Sequence, residues 1–136
     1  MNLEVFERFE KQIILKKIGL AGQKKIFSSS VLIIGMGGLG CPLLYYLSAS
    51  GVGKIGIVDY DKIEISNLNR QSLFNSKDIG KFKVNQAKKV INKINKKTKI
   101  ITFRKKLNEK NINKIFKSFN IICDGTDNYK TRYLIN

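Results

Sequence analysis

The chain has 136 residues, enough for one domain with a modest core, and carries a formal net charge of +16 at pH 7. It has no run of about twenty apolar residues and no basic start followed by an apolar segment, so neither a membrane span nor a secretory signal is indicated. Two cysteines and no histidine argue against a disulfide framework and exclude Ser–His and Cys–His catalysis. We expect a reducing compartment, the cytoplasm or an organelle stroma.

Lysine accounts for most of the positive charge, since only four of the 26 basic residues are arginine. Isoleucine and asparagine are abundant beside the lysines, as in residues 91–97, a pattern typical of codon usage rich in A and T. A face that binds nucleic acid would more often be enriched in arginine as well. We therefore interpret the charge as solvated surface lysine and expect no nucleic-acid partner.

The hydrophobic periodicity predicts a helical arm over residues 1–30 and a nucleotide-binding core over 31–136, within one domain. In chain order, the predicted elements are helices at 4–14 and 21–27, a strand at 31–34, a helix at 39–50, a strand at 55–59, a short helix from Asn67 capped by Ser66, a helix at 83–94, a strand at 99–103, a helix at 111–119, a strand at 120–123 and a helix from 127 onward. This alternation predicts an α/β, Rossmann-like parallel sheet with helices on both faces and strand order 3-2-1-4.

A glycine-rich turn between the first core strand and its helix is the strongest functional signal. Its glycines are Gly35, Gly37, Gly38 and Gly40. Glycines let backbone N–H groups approach a phosphate, and the helix N-terminus adds favourable partial charge. Asp59 follows about twenty residues later, where ribose hydroxyls are expected, and Asp61 would share its face of the strand. The pattern predicts a nucleotide site, although a tight turn and a helix-capping Asp61 are the structural alternatives.

Two further clusters follow in the chain. Asn67 and Arg70 are three residues apart, and an amide beside a planar fork of donors suits polyphosphate oxygens. Lys83 begins the next helix, where it either reaches a phosphate or is one more surface lysine. The loop 124–128 follows the strand expected beside the first, so it would face the glycine turn. A carboxylate there can hold Mg²⁺ against substrate phosphates or cap the next helix.

Neither cysteine is a strong nucleophile candidate. Cys41 lies near a helix N-terminus, which would lower its pKa, but its apolar surroundings favour burial as a packing residue. Cys123 lies in an apolar strand, and no thiolate pair with zinc-site spacing is present.

Four stretches in this order, residues 8–15, 35–42, 66–71 and 124–128, resemble one family. It is the bacterial and plastid sulfur-carrier adenylyltransferases, relatives of the ubiquitin-activating enzymes, which serve thiamine thiazole and molybdopterin synthesis. The resemblance runs from about Arg8 to Asn136. It implies ATP-dependent adenylation, in which the terminal glycine carboxylate of a small ubiquitin-like carrier ending in Gly-Gly attacks the α-phosphorus of ATP and magnesium pyrophosphate leaves.

By position, the resemblance implies nucleotide contacts at Gly35, Gly37, Gly38, Gly40, Asp59, Asp61, Ser66, Asn67, Leu68, Asn69, Arg70, Lys83, Asp127 and Asn128. It implies catalytic roles for Arg70, Lys83 and Asp127, with Asp127 binding Mg²⁺. It also implies a homodimer, because the family places an arginine at the position of Lys11 so that it reaches the ATP of the other subunit. We expect Lys11 to act there in trans, with the charge but without the bidentate fork of arginine.

The family's chain is about half complete where this sequence ends, so its cysteine-bearing loop, its zinc ligands and much of its carrier-docking surface are expected outside these residues. Three alternatives remain. An NAD-dependent oxidoreductase would use the glycine turn and Asp59 but would leave Arg70 and Asp127 without a role. An ATP-dependent tRNA-modifying dehydratase of the same superfamily would use the basic charge. A non-catalytic nucleotide-binding fragment or interaction module would bind ATP, or associate with a carrier or with itself, without releasing pyrophosphate.

Overall fold

The structure is a computed structural model that describes residues 2–136. Its elements in chain order are α1 (Leu3–Ile13), α2 (Gly19–Ser28), β1 (Ser30–Ile34), α3 (Gly40–Ala49), β2 (Lys54–Val58), two short 3₁₀ segments (Ile65–Asn67 and Ser76–Asp78), α4 (Lys83–Ile94), β3 (Lys99–Phe103), α5 (Ile112–Phe116), β4 (Ile121–Asp124) and α6 (Tyr129–Ile135). Within these residues, no helix has the length and apolar composition that a membrane span requires.

The four strands form one parallel sheet in the order β3-β2-β1-β4, which confirms the predicted α/β architecture. All five residues of the central strand β1 are buried. A strand covered on both faces reads as a continuous apolar run, and this is why Val31 to Ile34 carried a clear signal in the sequence.

Helices cover both faces of this sheet. On one face, Leu44 of α3 and Val84, Ala87 and Ile91 of α4 pack with the inward side chains of β1 and β2. On the other face, Ile115 of α5 and partly buried residues of α6 pack on Leu32. The two layers leave the strand ends open, so the loops at the carboxyl ends are free to form a site.

Three elements in the second half of the fold have bounds that differ from the predicted ones. Helix α6 begins at Tyr129 instead of residue 127, because Asn128 is its N-cap. Helix α5 is shorter than expected, because Asn111 takes the N-cap position and the helix ends at Phe116. Strand β4 begins one residue later and includes Asp124, which pairs with Ile34 of β1. These edge elements bury less apolar surface than the central strand, so periodicity marked their ends less sharply.

The predicted cap at Ser66 was wrong. The segment is a 3₁₀ turn at Ile65–Asn67, and its N-cap is Glu64. The Asn67 side chain accepts a hydrogen bond from the Glu64 N–H at 3.0 Å, and the Glu64 side chain accepts one in return, as in a capping box. Because Asn67 closes the turn from its C-terminal side, Ser66 is left inside it and exposed.

Candidate functional site

A cleft of about 670 Å³ lies at the carboxyl ends of the strands, between the loops that follow β1, β2 and β4. It brings together ten of the predicted site residues: Gly35, Gly37, Gly38, Asp59, Asp61, Asn67, Arg70, Lys83, Asp127 and Asn128. The five others, Lys11, Gly40, Ser66, Leu68 and Asn69, are not part of its lining. In a parallel sheet with helices on both faces, this edge is where ligands bind.

The glycine turn follows β1 and forms one wall of the cleft. Gly35 has a φ of +91°, a left-handed conformation that favours glycine. A Cβ at Gly40 would collide with the carbonyl oxygen of Gly35, so packing within the protein requires glycine there. A Cβ at Gly37 would meet only the Gln71 Nε2, at 4.0 Å. The space beside Gly37 is therefore open toward the cleft, as a backbone that receives a phosphate requires.

Asp59 connects the ends of the first two strands. Its Oδ2 accepts a hydrogen bond from the Met36 N–H and its Oδ1 accepts one from the Asp61 N–H, each at 2.7 Å. Burial raises the pKa of this carboxyl above its ordinary value, and the two backbone N–H groups and Lys83 oppose that shift. Each carboxylate oxygen can accept a second donor, so Asp59 retains the capacity to bind two hydroxyl groups in the cleft.

Arg70 is held in place by its own segment of chain. Its Nη1 donates to the carbonyl oxygen of Ser66 at 2.9 Å and to Oδ1 of Asn69 at 3.0 Å. A Cβ at Gly38 would lie 3.3 Å from the Arg70 Cγ, so the stem of this arginine crosses the glycine turn. Ser66 and Asn69 thus orient the guanidinium, and Leu68 packs against the core.

Lys83 is buried at the base of the cleft, with 8% of its side chain exposed. Its Nζ lies 3.6 Å from Oδ2 of Asp61, whose side chain is about half exposed. Sequence reasoning alone left Lys83 undecided between a phosphate contact and surface charge. The structure places its charge inside the cleft.

The loop 124–128 forms the opposite wall. Oδ1 of Asp124 accepts hydrogen bonds from the N–H and the hydroxyl of Thr126, at 2.9 and 2.6 Å. Asn128 is the N-cap of α6, because its Oδ1 accepts from the N–H of Thr131 at 2.9 Å. Asp127 stands between these fixed residues, exposed, and within residues 2–136 no hydrogen bond or ion pair engages its carboxylate.

The oxygen donors of the cleft suit a metal that a substrate helps to hold. Within the described chain, no group of three or more His, Cys, Asp or Glu side chains is arranged to bind a metal ion. Mg²⁺ commonly takes one or two carboxylates from the protein, with phosphate oxygens and water completing its shell. The unpartnered carboxylate of Asp127 fits that requirement.

Several residues that line the cleft were missed by sequence reasoning: Tyr60, Gln71, Lys105, Lys106, Leu107 and Arg132. Lys105 and Lys106 follow β3, and their position at a strand end was the signal available among so many lysines. With them the lining has five cationic side chains (Arg70, Lys83, Lys105, Lys106, Arg132) and three acidic ones (Asp59, Asp61, Asp127). The excess of positive charge suits a polyphosphate.

Lys11 lies apart from the cleft in this single chain. It is exposed on α1, with its Nζ 3.6 Å from Oε2 of Glu10. Its expected role across a dimer stays a prediction.

Cys41 is buried and is not placed to act as a nucleophile. Its Sγ lies 3.6 Å from the carbonyl oxygen of Met36, and burial raises the pKa of the thiol to about 11. Only about one thiol in a thousand would be ionised at pH 8.

We expect Cys41 to resist iodoacetamide at pH 8 in the folded protein and half-buried Cys123 to react first, as measured by mass spectrometry. Equal labelling of the two, with denatured protein as the control, would contradict this assignment.

Comparison with known proteins gives a consistent result. The model of the ThiF family matches residues 9–136. The "Probable molybdopterin-synthase adenylyltransferase" of Porphyra purpurea is 48% identical over 135 residues, which are 99% of this chain and 35% of that protein. The "Adenylyltransferase and sulfurtransferase MOCS3" of Aedes aegypti is 42% identical over 136 residues, all of this chain and 31% of that protein. The chain thus spans about a third of the length of these curated relatives.

Solved structures agree on the fold. E. coli MccB with ATP is 34% identical, with a TM-score of 0.66, over 68% of this chain and 28% of that chain. The E. coli tRNA N6-threonylcarbamoyladenosine dehydratase TcdA in complex with AMP has a TM-score of 0.91 over 98% of this chain and 55% of that chain. At 19% identity, the TcdA likeness supports the fold alone.

Proposed function

Because this chain belongs to the ThiF family, we propose that it supplies the ATP-binding part of an adenylyltransferase that activates a small ubiquitin-like sulfur carrier. The observation that carries the proposal is the composition of the cleft. The cleft brings together an open glycine turn, buried Lys83, Arg70 and the exposed carboxylate of Asp127. The curated relatives that the chain matches are named adenylyltransferases, which supports adenylyl transfer as the reaction class.

The proposed reaction requires positioning and charge neutralisation. An oxygen of the carrier's terminal glycine carboxylate attacks the α-phosphorus of ATP, the bond to the bridging oxygen breaks, and pyrophosphate leaves as the acyl-adenylate forms. We propose that N–H groups of the glycine turn face the phosphates, that Asp59 holds the ribose, and that Arg70 and Lys83 neutralise the developing charge. The protein needs no nucleophile of its own, which agrees with the inert, buried Cys41.

Asp127 is the residue that we propose to hold Mg²⁺. When bound, Mg²⁺ would neutralise negative charge on the phosphates of ATP and on the departing pyrophosphate. The chain would present the oriented carboxylate of Asp127 beside the cationic side chains that line the cleft.

The partners belong to the same proposal. We infer a carrier that ends in Gly-Gly, in thiamine thiazole or molybdopterin synthesis, and a homodimer in which Lys11 reaches the partner's nucleotide. We propose a cytoplasmic or stromal location. The tRNA-modifying dehydratase remains the alternative, and a salt-sensitive, sequence-selective tRNA complex would favour it.

Pyrophosphate exchange into ATP tests the proposed function. We expect this chain to catalyse exchange that requires Mg²⁺ and a Gly-Gly-ended carrier, and Asp127→Ala to reduce it by about 100-fold through the loss of an electrostatic contact. Glu109→Ala, which removes an exposed carboxylate outside the cleft, is the control. ATP binding without exchange would restrict the chain to a nucleotide-binding fragment. Absence of both would refute the proposal.

A further inference from the structure

Arg132 makes contacts in the cleft that no assigned role explains. It lies on α6, and its side chain lines the cleft. Its Nε and Nη2 both donate to the carbonyl oxygen of Thr126, at 3.3 and 2.9 Å. Within residues 2–136, no carboxylate lies within ion-pair distance of this guanidinium. The side chain is therefore committed to a backbone carbonyl rather than to a stabilising salt bridge.

The carbonyl that Arg132 holds belongs to the loop that carries Asp127. Thr126 is fixed from its N-terminal side by Asp124, and Asn128 is fixed by capping α6. The carboxylate of Asp127 has no partner of its own in the described structure, so its direction depends on the backbone on either side. Of the bonds that fix this backbone, those from Arg132 connect the Thr126 carbonyl to the body of the helix.

We propose that Arg132 is a positioning residue, which holds the loop 124–128 so that the carboxylate of Asp127 faces the nucleotide and its metal. This inference rests on the proposed role of Asp127 in binding Mg²⁺. Hydrogen bonds from a charged donor are stronger than neutral ones, and two N–H groups on one edge of a planar guanidinium restrict the carbonyl more than a single flexible donor would.

The test compares Arg132→Met with Lys130→Met. Both substitutions remove one positive charge from α6 and introduce the same side chain, but Lys130 is exposed and lies outside the cleft lining. In protein without ATP or Mg²⁺, we expect hydrogen–deuterium exchange in residues 124–128 to become roughly tenfold faster in Arg132→Met. We expect no change there in Lys130→Met and no change in β1 in either variant.

Two further measurements separate positioning from charge and from folding. The Mg²⁺ concentration that half-saturates the ATP-induced thermal shift should rise by a similar factor in Arg132→Met. This rise should exceed the fall in ATP affinity, measured without Mg²⁺, that the loss of one cationic side chain of the cleft causes. Arg132→Gln keeps a neutral N–H donor, so it should restore part of the exchange protection. A loss of protection that extends into β1 in Arg132→Met, without rescue by Gln, would overturn the proposal.

The remaining outcomes are also decisive. Wild-type exchange in residues 124–128 of Arg132→Met would overturn the proposal. Faster exchange with an unchanged Mg²⁺ requirement would overturn it too, provided that Asp127→Ala raises that requirement. If Asp127→Ala has no effect on the Mg²⁺ requirement, the proposed metal role of Asp127 fails on its own. The exchange and rescue data then decide whether Arg132 holds the loop.

Discussion

Gly40→Ala is expected to lower the free energy of unfolding by about 3 kcal/mol or more, although helix propensity alone predicts that alanine would stabilise the protein. Gly40 is the first residue of α3, where replacing glycine by alanine would ordinarily stabilise a helix by up to about 1 kcal/mol. The added Cβ would collide with the carbonyl oxygen of Gly35 and lie 3.1 Å from Cε of Met36, and both atoms belong to the packed turn. Urea unfolding followed by circular dichroism measures this loss, which corresponds to a fall in Tm of roughly 10 °C.

Gly37→Ala is the matched control within the same turn. Its Cβ would have free space, since its nearest contact is 4.0 Å away, so the free energy of unfolding should stay within about 0.5 kcal/mol of wild type. The same methyl group would occupy the space proposed for a phosphate, so ATP affinity measured by calorimetry should fall about tenfold or more. If Gly40→Ala is as stable as wild type, or if Gly37→Ala binds ATP normally, this division of roles within the turn is wrong.

Sequence patterns were sufficient for the fold because its strongest signals are local. The apolar run of β1, the glycine turn and the helical period of α4 each identify an element within a short window, and the order 3-2-1-4 follows from right-handed crossovers. Some boundaries were missed because side-chain capping decided them. At Ile65–Asn67, the sequence offered a serine cap, but the amide of Asn67 closes the turn with Glu64.

The sequence predicted those residues of the site that belong to recognisable motifs, and it did not predict the others. The glycine turn, Asp59, Arg70 and the loop 124–128 could be located by motif and spacing, and the cleft brings them together. The segment after β3 offered one sequence signal, its position at a strand end, but its contribution to the cleft depends on the packing of β3 at the sheet edge. The bonds from Arg132 to Thr126 depend in the same way on the path of the backbone into α6. Tertiary structure therefore decides whether such residues enter the site.

The burial of Lys83 is poorly explained by a contribution to the stability of the fold. It is buried at the first position of α4, where the partial positive charge of a helix N-terminus disfavours a cation. Among residues 2–136 its one ion-pair partner is Asp61, which is about half exposed at 3.6 Å, and the carboxylate of Asp59 acts on it from beyond ion-pair distance. Together they are weak compensation for the lost hydration of the ammonium group. A group kept at such a position without a stability benefit is expected where a ligand needs its charge.

We therefore expect Lys83→Met and Lys81→Met to have opposite effects. Lys83→Met should leave the free energy of unfolding unchanged or raise it by about 1 kcal/mol, and should weaken ATP binding about 100-fold. Lys81 lies outside the cleft, and its Nζ is 3.0 Å from Oδ1 of Asp78, whose side chain is 3% exposed. Lys81→Met should thus cost about 1–3 kcal/mol of stability by leaving a buried carboxylate short of a donor, with ATP affinity unchanged. Urea unfolding and calorimetry with ATP measure both quantities in both variants. A large loss of stability in Lys83→Met with normal ATP affinity would make this lysine a structural residue and would remove the main cation from the proposed phosphate site.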